Sequence, residues 1–179
     1  MGQKAQSPRK RASFALIPAF VLAVTALAGG LSAAEAAKRG PVTNLPLPRF
    51  VSLKSSEGNA RRGPSLSHRI DWVYTRRALP LEVVAEFGHW RRVRDHDGAG
   101  GWLHYSLLSG VRTVMVESEM ASLRSRPDTA SEVVARAERG VVARLGECNP
   151  DWCRVAADGQ RGWVEKSALW GVGREEIRE

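Results

Sequence analysis

Two hydrophobic patterns divide the chain. Residues 13–32 are uncharged and mostly apolar, a run that nears the length needed to span a bilayer. No run of that length recurs. Downstream, apolar positions come in short bursts at residues 50–53, 70–74, 79–84, 90–94 and 102–103, then 114–116, 132–137, 141–145, 152–155 and 163–164. The bursts are rich in Val, Leu and aromatic residues, and turn-forming pairs separate them: Phe87-Gly88, Asp97-Gly98, Asn149-Pro150 and Asp158-Gly159. Apolar residues alternate at Leu79, Leu81 and Val83, and again at Val141, Ala143 and Leu145, so one face of each segment is buried. The pattern predicts an all-β protein of many short strands closed into small barrels or sandwiches.

The bursts form an internal repeat. The first copy runs His89-Trp90-Arg91-Arg92-Val93, Asp97-Gly98, Gly101-Trp102-Leu103 and Ser106-Leu107-Leu108-Ser109-Gly110. The second runs Asp151-Trp152-Cys153-Arg154-Val155, Asp158-Gly159, Gly162-Trp163-Val164 and Ser167-Ala168-Leu169-Trp170-Gly171. The first tryptophans are offset by 62 positions and the second by 61. Upstream, Arg61-Arg62-Gly63-Pro64 matches Arg124-Ser125-Arg126-Pro127. The expected organisation is a leader at 1–36, an extended linker at 37–48 carrying Pro41, Pro46 and Pro48, one unit at 49–110 and a second at 111–173, with a frayed tail from Arg174.

The series W-x-x-V, D-G, G-W-[LV], S-x-L resembles bacterial SH3-like domains. It is most similar to tandem SH3-like proteins of alphaproteobacterial envelopes, through Glu147-Cys148 to Val155 and Leu169 to Val172. The resemblance implies two tandem small SH3-like β-barrels and non-catalytic binding. It also implies that Val93, Leu103, Leu108, Val164 and Leu169 are core. Trp90 would open onto a ligand groove, with Trp152 as its counterpart. His104 and Leu107 would fall where eukaryotic SH3 domains carry groove Pro and Tyr, with Glu165 and Ala168 in the second copy. The aromatic ridges that grip polyproline are therefore largely missing, which argues against PxxP recognition.

The N-terminus sets the expected compartment. Lys4, Arg9, Lys10 and Arg11 precede the apolar run, and Ala34-Glu35-Ala36 closes it as an A-x-A site. This reads as a cleaved export signal, with an uncleaved membrane anchor as the alternative. Without a twin arginine, the general secretory route to the periplasm or exterior is expected, with no stable membrane span after cleavage. The formal charge is +8; removing 1–36 takes four of 27 basic residues and one of 19 acidic ones, leaving +5. A basic exported protein suits anionic envelope partners, such as peptidoglycan carboxylates, acidic polysaccharides or lipid headgroups, whereas export argues against nucleic acid.

Cys148 and Cys153 are the only cysteines, and an even count in an exported chain predicts a disulfide. Half of a zinc site is the other reading of the spacing, but the four histidines lie in the first unit and no second cysteine pair exists. Shifted back by 62, the two cysteines land on Glu86 and Arg91, an opposite-charge pair across the same hairpin. No enzyme is expected. Ser65, Ser67 and His68 are adjacent in sequence, which is not triad geometry, and Asp95-His96-Asp97 falls at a turn, where Asp serves the backbone. No cofactor or metal is expected. The candidate ligand-binding residues are Trp90, Arg92, His104 and Leu107 in the first copy, and Trp152 and Arg154 in the second. The function expected is recognition of peptidoglycan or another anionic wall polymer. The alternative is a scaffold for an envelope enzyme or peptide.

Overall fold

The computed structural model describes residues 38–179. The expected leader, residues 1–36, lies outside the described residues. Among the described residues, no helix is long and apolar enough to cross a membrane.

The first repeat contributes seven strands: β1 (Arg49–Leu53), β2 (Gly58–Arg61), β3 (Ile70–Tyr74), β4 (Pro80–Phe87), β5 (Trp90–Arg94), β6 (Gly100–His104) and β7 (Leu108–Ser109). The second adds β8 (Thr113–Val116), β9 (Met120–Arg124), β10 (Val133–Glu138), β11 (Val142–Cys148), β12 (Trp152–Ala157), β13 (Gln160–Glu165) and β14 (Leu169–Trp170). The sheet orders are β3-β2-β6-β5-β4-β1-β7 and β10-β9-β13-β12-β11-β8-β14, the same topology twice. A 3-10 turn, Tyr105–Leu107 or Lys166–Ala168, precedes the last strand of each.

Each sheet curls around one core, because strands distant in the sheet order meet in a single cluster. Leu53, Ala60, Tyr74, Leu81, Val83, Val93 and Leu103 form the first; Val114, Leu123, Leu145, Cys153, Val155, Val164 and Leu169 belong to the second. Every residue the resemblance assigned to the core is in or against it, Leu108 being partly buried. The alternation is borne out at Leu81 and Val83, both 0% exposed.

Two strands in each repeat escaped the hydrophobic pattern. Gly58-Asn59-Ala60-Arg61 carries no β-branched or aromatic residue, yet it pairs with β3 on one side and β6 on the other. Tertiary pairing here overrides weak local propensity. Glycine makes the approach possible: a Cβ at Gly101 would stand 2.6 Å from the Arg61 carbonyl oxygen, and one at Gly162 would stand 3.0 Å from the Arg124 amide nitrogen. The glycine of each G-W motif is the point where β2 or β9 lies close against the sheet.

The ends of the described chain are fastened. Residues 38–48 do not run as an extended linker. They fold back, with Arg39 bridging Pro46, and their turn docks on the Glu86 carboxylate. Val42 N and Thr43 N donate to Glu86 Oε2 at 3.1 and 2.9 Å, and Thr43 Oγ1 donates to Oε1 at 2.6 Å. The expected frayed tail is also corrected. Cys148 and Arg178 exchange backbone hydrogen bonds of 2.8 and 3.0 Å, Glu176 takes both ends of the Arg112 guanidinium, and buried Lys166 donates to the Arg174 and Glu176 carbonyls. A charged segment holds here because Glu176 and Arg178, together with the tail's own carbonyls, meet fixed partners on the second repeat.

The repeats share a polar and aromatic seam. Ser52 donates to the Val111 carbonyl and Thr113 to the Ala78 carbonyl, their hydroxyls lying 2.6 Å apart. Phe50 meets Trp170 edge to face at 5.2 Å, and the Arg112 guanidinium lies 5.6 Å from the Phe50 ring centre. Trp170, which has no tryptophan counterpart in the first repeat, thus fills the inter-repeat seam. Trp72 does not; it is 46% exposed on the edge strand β3.

Candidate functional site

Strand β5 sets the first site. Arg91 and Val93 point inward and are buried, so Trp90, Arg92 and Arg94 share the outer face. Trp90 sits directly opposite His104 on β6, and their rings meet edge to face at 5.6 Å. His104 also packs 4.9 Å from Tyr105 and 5.9 Å from His89. The His104 Nδ1 lies 2.7 Å from Ser106 Oγ, which fixes the ring at the start of the 3-10 turn. Pro64, Ser65 and Leu66, from the β2–β3 hairpin, close the other side of a groove with His89, Trp90 and His104. Leu66 and Tyr105 are strongly exposed. The hairpin is held over the groove by Arg61, whose Nη1 donates to the Leu66 and His68 carbonyls at 3.1 and 2.7 Å.

The structure brings together only part of the candidate set. Trp90 and His104 share this groove. Leu107 instead packs against the first core. Arg92 shares the outer face with Trp90, but its direct neighbour across the ladder is Trp102. Sequence reasoning overlooked His89, Tyr105 and Leu66. The repeat held a signal for the first two: they align with Asp151 and Lys166, positions where otherwise matched copies change character.

The second repeat keeps the backbone of the groove and changes its chemistry. Tyr105 N donates to the His89 carbonyl at 2.9 Å, and Lys166 N donates to the Asp151 carbonyl at 2.8 Å. Trp152 lies opposite Glu165 and is buried, 8% exposed, although its position is on the outer face. Its surroundings are Thr129, Asp151, Glu165, Lys166 and Arg174, a charged recess bordered by the C-terminal tail. Arg154 is exposed and pairs with Glu147 at 3.3 Å.

Behind each groove, the hairpin between the fourth and fifth strands of the repeat is stapled at equivalent positions. Cys148 and Cys153 are direct partners and form the expected disulfide. Glu86 and Arg91 are direct partners too. Their pair is not the exposed ion pair that sequence allowed. The Glu86 side chain is fully buried, 2.7 Å from Arg49 and 3.6 Å from Arg91. Burial pushes its carboxyl up, but the Thr43 hydroxyl and amide, Arg49 and the Val42 amide outweigh that and hold it at about 2.

The remaining candidate chemistry is structural. Asp95 Oδ1 accepts from the Asp97 and Ala99 amides at 3.1 and 2.9 Å, as a turn aspartate does. Potential ligand atoms of Asp95, His96 and Asp97 lie within 4.8 Å of one another, while Asp95 Oδ1 itself holds the turn's backbone. Ser65 and Ser67 hydroxyls bond to each other at 2.8 Å, and the ring of His68 packs on Gly63.

The family described as Bacterial SH3 domain matches residues 54–110 and 117–171. YrvJ of Bacillus subtilis (strain 168), named as a candidate N-acetylmuramoyl-L-alanine amidase, is 23% identical over 151 residues, covering 73% of this chain and 29% of that protein. The chain therefore spans less than a third of that relative's length. Among solved structures, NlpC1 and NlpC2 of Trichomonas vaginalis give TM-scores of 0.33 and 0.32 at 14% and 15% identity. They cover 73% and 69% of this chain and 48% of each of those proteins.

Proposed function

The chain belongs to the bacterial SH3 domain family, and from that we propose that it is a non-catalytic, exported binding module for a cell-envelope polymer, with peptidoglycan as the ligand. The observation that carries the reading is the open groove of the first repeat, where Trp90, His89, His104 and Tyr105 offer aromatic faces beneath an exposed Leu66. Aromatic planes bury the apolar face of a sugar at low entropic cost, and the imidazoles add hydrogen-bonding edges. A +5 exported chain draws such a module toward an anionic wall. The relative named as an N-acetylmuramoyl-L-alanine amidase supports a ligand made of amino sugar and peptide. The scaffold reading keeps one specific support: Phe87, 62% exposed, sits directly opposite Trp90 and extends the apolar surface in a way that also fits a protein partner.

Retention on purified sacculi tests the proposal. Trp90→Ala is expected to reduce retention about tenfold or more, as loss of an aromatic anchor does, while the melting temperature of the folded protein stays near the parent's. Undiminished retention in a folded Trp90→Ala protein sinks the groove. Capture of a single envelope protein, with no retention on sacculi, favours the scaffold.

A further inference from the structure

A second surface of the first repeat carries an arrangement that no stretch of sequence displays. Trp102 on β6 stands opposite Arg92 on β5 and, on its other side, opposite Arg61 on β2. The three residues occupy one row across three strands, all on the outer face, because the residues beside them, Ala60, Val93 and Leu103, are core. Gly101 makes the row possible by letting the Arg61 backbone come close. The row borders a concavity of about 500 Å³ that Arg62 and Arg94 also line. Of its arginines, Arg62 is paired with Asp71, at 3.1 Å, and Arg94 with Glu82. Arg61 spends Nη1 on the hairpin carbonyls. Among the described residues, Arg92 makes no ion pair and no side-chain hydrogen bond, although it is exposed beside the half-buried indole.

The second repeat rebuilds the row as Arg124, Trp163 and Arg154 and gives its last arginine an acidic partner. Arg154 pairs with Glu147 at 3.3 Å, and the recess beside it is lined by Glu147 and Glu179 together with Arg144 and Arg161. Arg124 donates to the Ser131 carbonyl at 2.7 Å, as Arg61 does to the His68 carbonyl. Among the described residues, the same backbone thus leaves the arginine of the row's third strand unpaired in one copy and ion-paired in the other.

We propose that the Arg61–Trp102–Arg92 row is a binding site for an acidic saccharide, the indole taking the sugar face and Arg92 the acidic group. Arg92 is the natural contact for a carboxylate or phosphate, since among the arginines that line the concavity it alone offers a whole unpaired guanidinium fork. The row lies beside the Trp90–His104 pair on the same face, uses different contact residues from the groove, and rests on the envelope setting of that reading.

Calorimetric titration of the whole exported chain at low salt tests it, with trigalacturonate as a carboxylate probe, glucose 6-phosphate as a phosphate probe and maltotriose as the neutral one. At least one acidic probe is expected to bind while maltotriose does not, and which of the two binds identifies the acidic group. Arg92→Gln is expected to weaken that binding about tenfold, the effect of losing a charge-assisted contact. Trp102→Phe, which keeps an aromatic ring and the fold, weakens it less. Arg154→Gln leaves it unchanged, and added salt weakens it in the parent. Equal binding of maltotriose, an unaltered affinity in Arg92→Gln, an equal loss in Arg154→Gln, or no binding of either acidic probe overturns the proposal. None of these results bears on retention by sacculi in Trp90→Ala, so the two sites fail separately.

Discussion

The two repeats have the same strand order and the same backbone hydrogen bonds around the groove, yet they treat their surfaces in opposite ways. The first leaves Trp90 half-buried among His89, His104 and Tyr105 and leaves Arg92 unpaired. The second buries Trp152, replaces the three ring residues by Asp151, Glu165 and Lys166, and pairs Arg154 with Glu147. Its Lys166 is turned to the tail, which it grips through two carbonyls. The difference teaches that the shared motif residues serve the scaffold: Gly101 and Gly162 admit a neighbouring strand, and Val93 and Val155 fill cores. The positions between them differ, so the first copy keeps an open aromatic groove while the tail borders the equivalent recess of the second.

The staples sharpen that comparison most strongly. One copy closes its hairpin with a covalent bond and the other with a buried carboxylate that also fastens residues 38–48. Replacing Glu86 with Ala leaves Arg49 and Arg91 buried without their counter-charge and frees the Thr43 turn. A loss of about 3 kcal/mol is expected in urea unfolding. A change under about 1 kcal/mol would show that the carboxylate does not anchor the segment. The same group sets a pH dependence. Its folded pKa, about 2, lies below the ordinary 4.5, so its contribution is complete above about pH 4.5 and disappears as pH falls through about 2. Stability should therefore decline between those limits, and the Glu86→Cys, Arg91→Cys double variant, which copies the other staple, should decline less. An identical acid profile in the double variant would assign the loss to other carboxylates, among them Glu176. Burial raises that group's pKa, but Arg112 and the Gly173 amide lower it further.

Removing the covalent staple has the next largest effect. The Cys148→Ser, Cys153→Ser variant is expected to lose about 2 kcal/mol, the chain-entropy value for so short a loop. Because Cys148 holds Arg178 through its backbone, amide exchange at Arg178 should accelerate while exchange in the first repeat stays as it was. Unchanged exchange at Arg178 would mean that the tail is held by Lys166 and Arg112 alone. The smallest effect belongs to Arg154. Its partner Glu147 is well exposed, and Arg154→Gln should change stability by less than about 1 kcal/mol in the same unfolding measurement. A larger loss would show that the Arg154–Glu147 pair does more than occupy the surface.

Much of the fold was legible along the chain, and the reason is local. Alternation at Leu79, Leu81 and Val83 reports directly which face is buried, and the duplicated W-x-x-V and G-W spacing reports two copies of one unit. The alignment of Cys148 and Cys153 with Glu86 and Arg91 was legible too, since a repeated hairpin keeps its register. Less of the candidate site could be read. Trp90 and His104 were placed together, but Leu107 went to the core, because the 3-10 turn swings it inward. The match of Arg92 with Trp90 rested on their closeness in sequence, whereas on a strand the nearer neighbour lies across the ladder.

By itself, then, the sequence determined the strand periodicity, the tandem copies and the positions of both staples, all of which follow from short-range spacing that the backbone geometry enforces. Only the tertiary structure decided what stands beside what. β2, with almost no strand-forming residue, became a strand because β3 and β6 both offered it hydrogen bonds. That pairing carried Arg61 to Trp102 across some forty positions of chain. The charged tail, unreadable as structure on its own, was ordered by Lys166, Arg112 and Cys148, partners supplied by the folded second repeat. Register and docking depend on groups distant in sequence meeting at fixed distances, and local patterns do not encode that information.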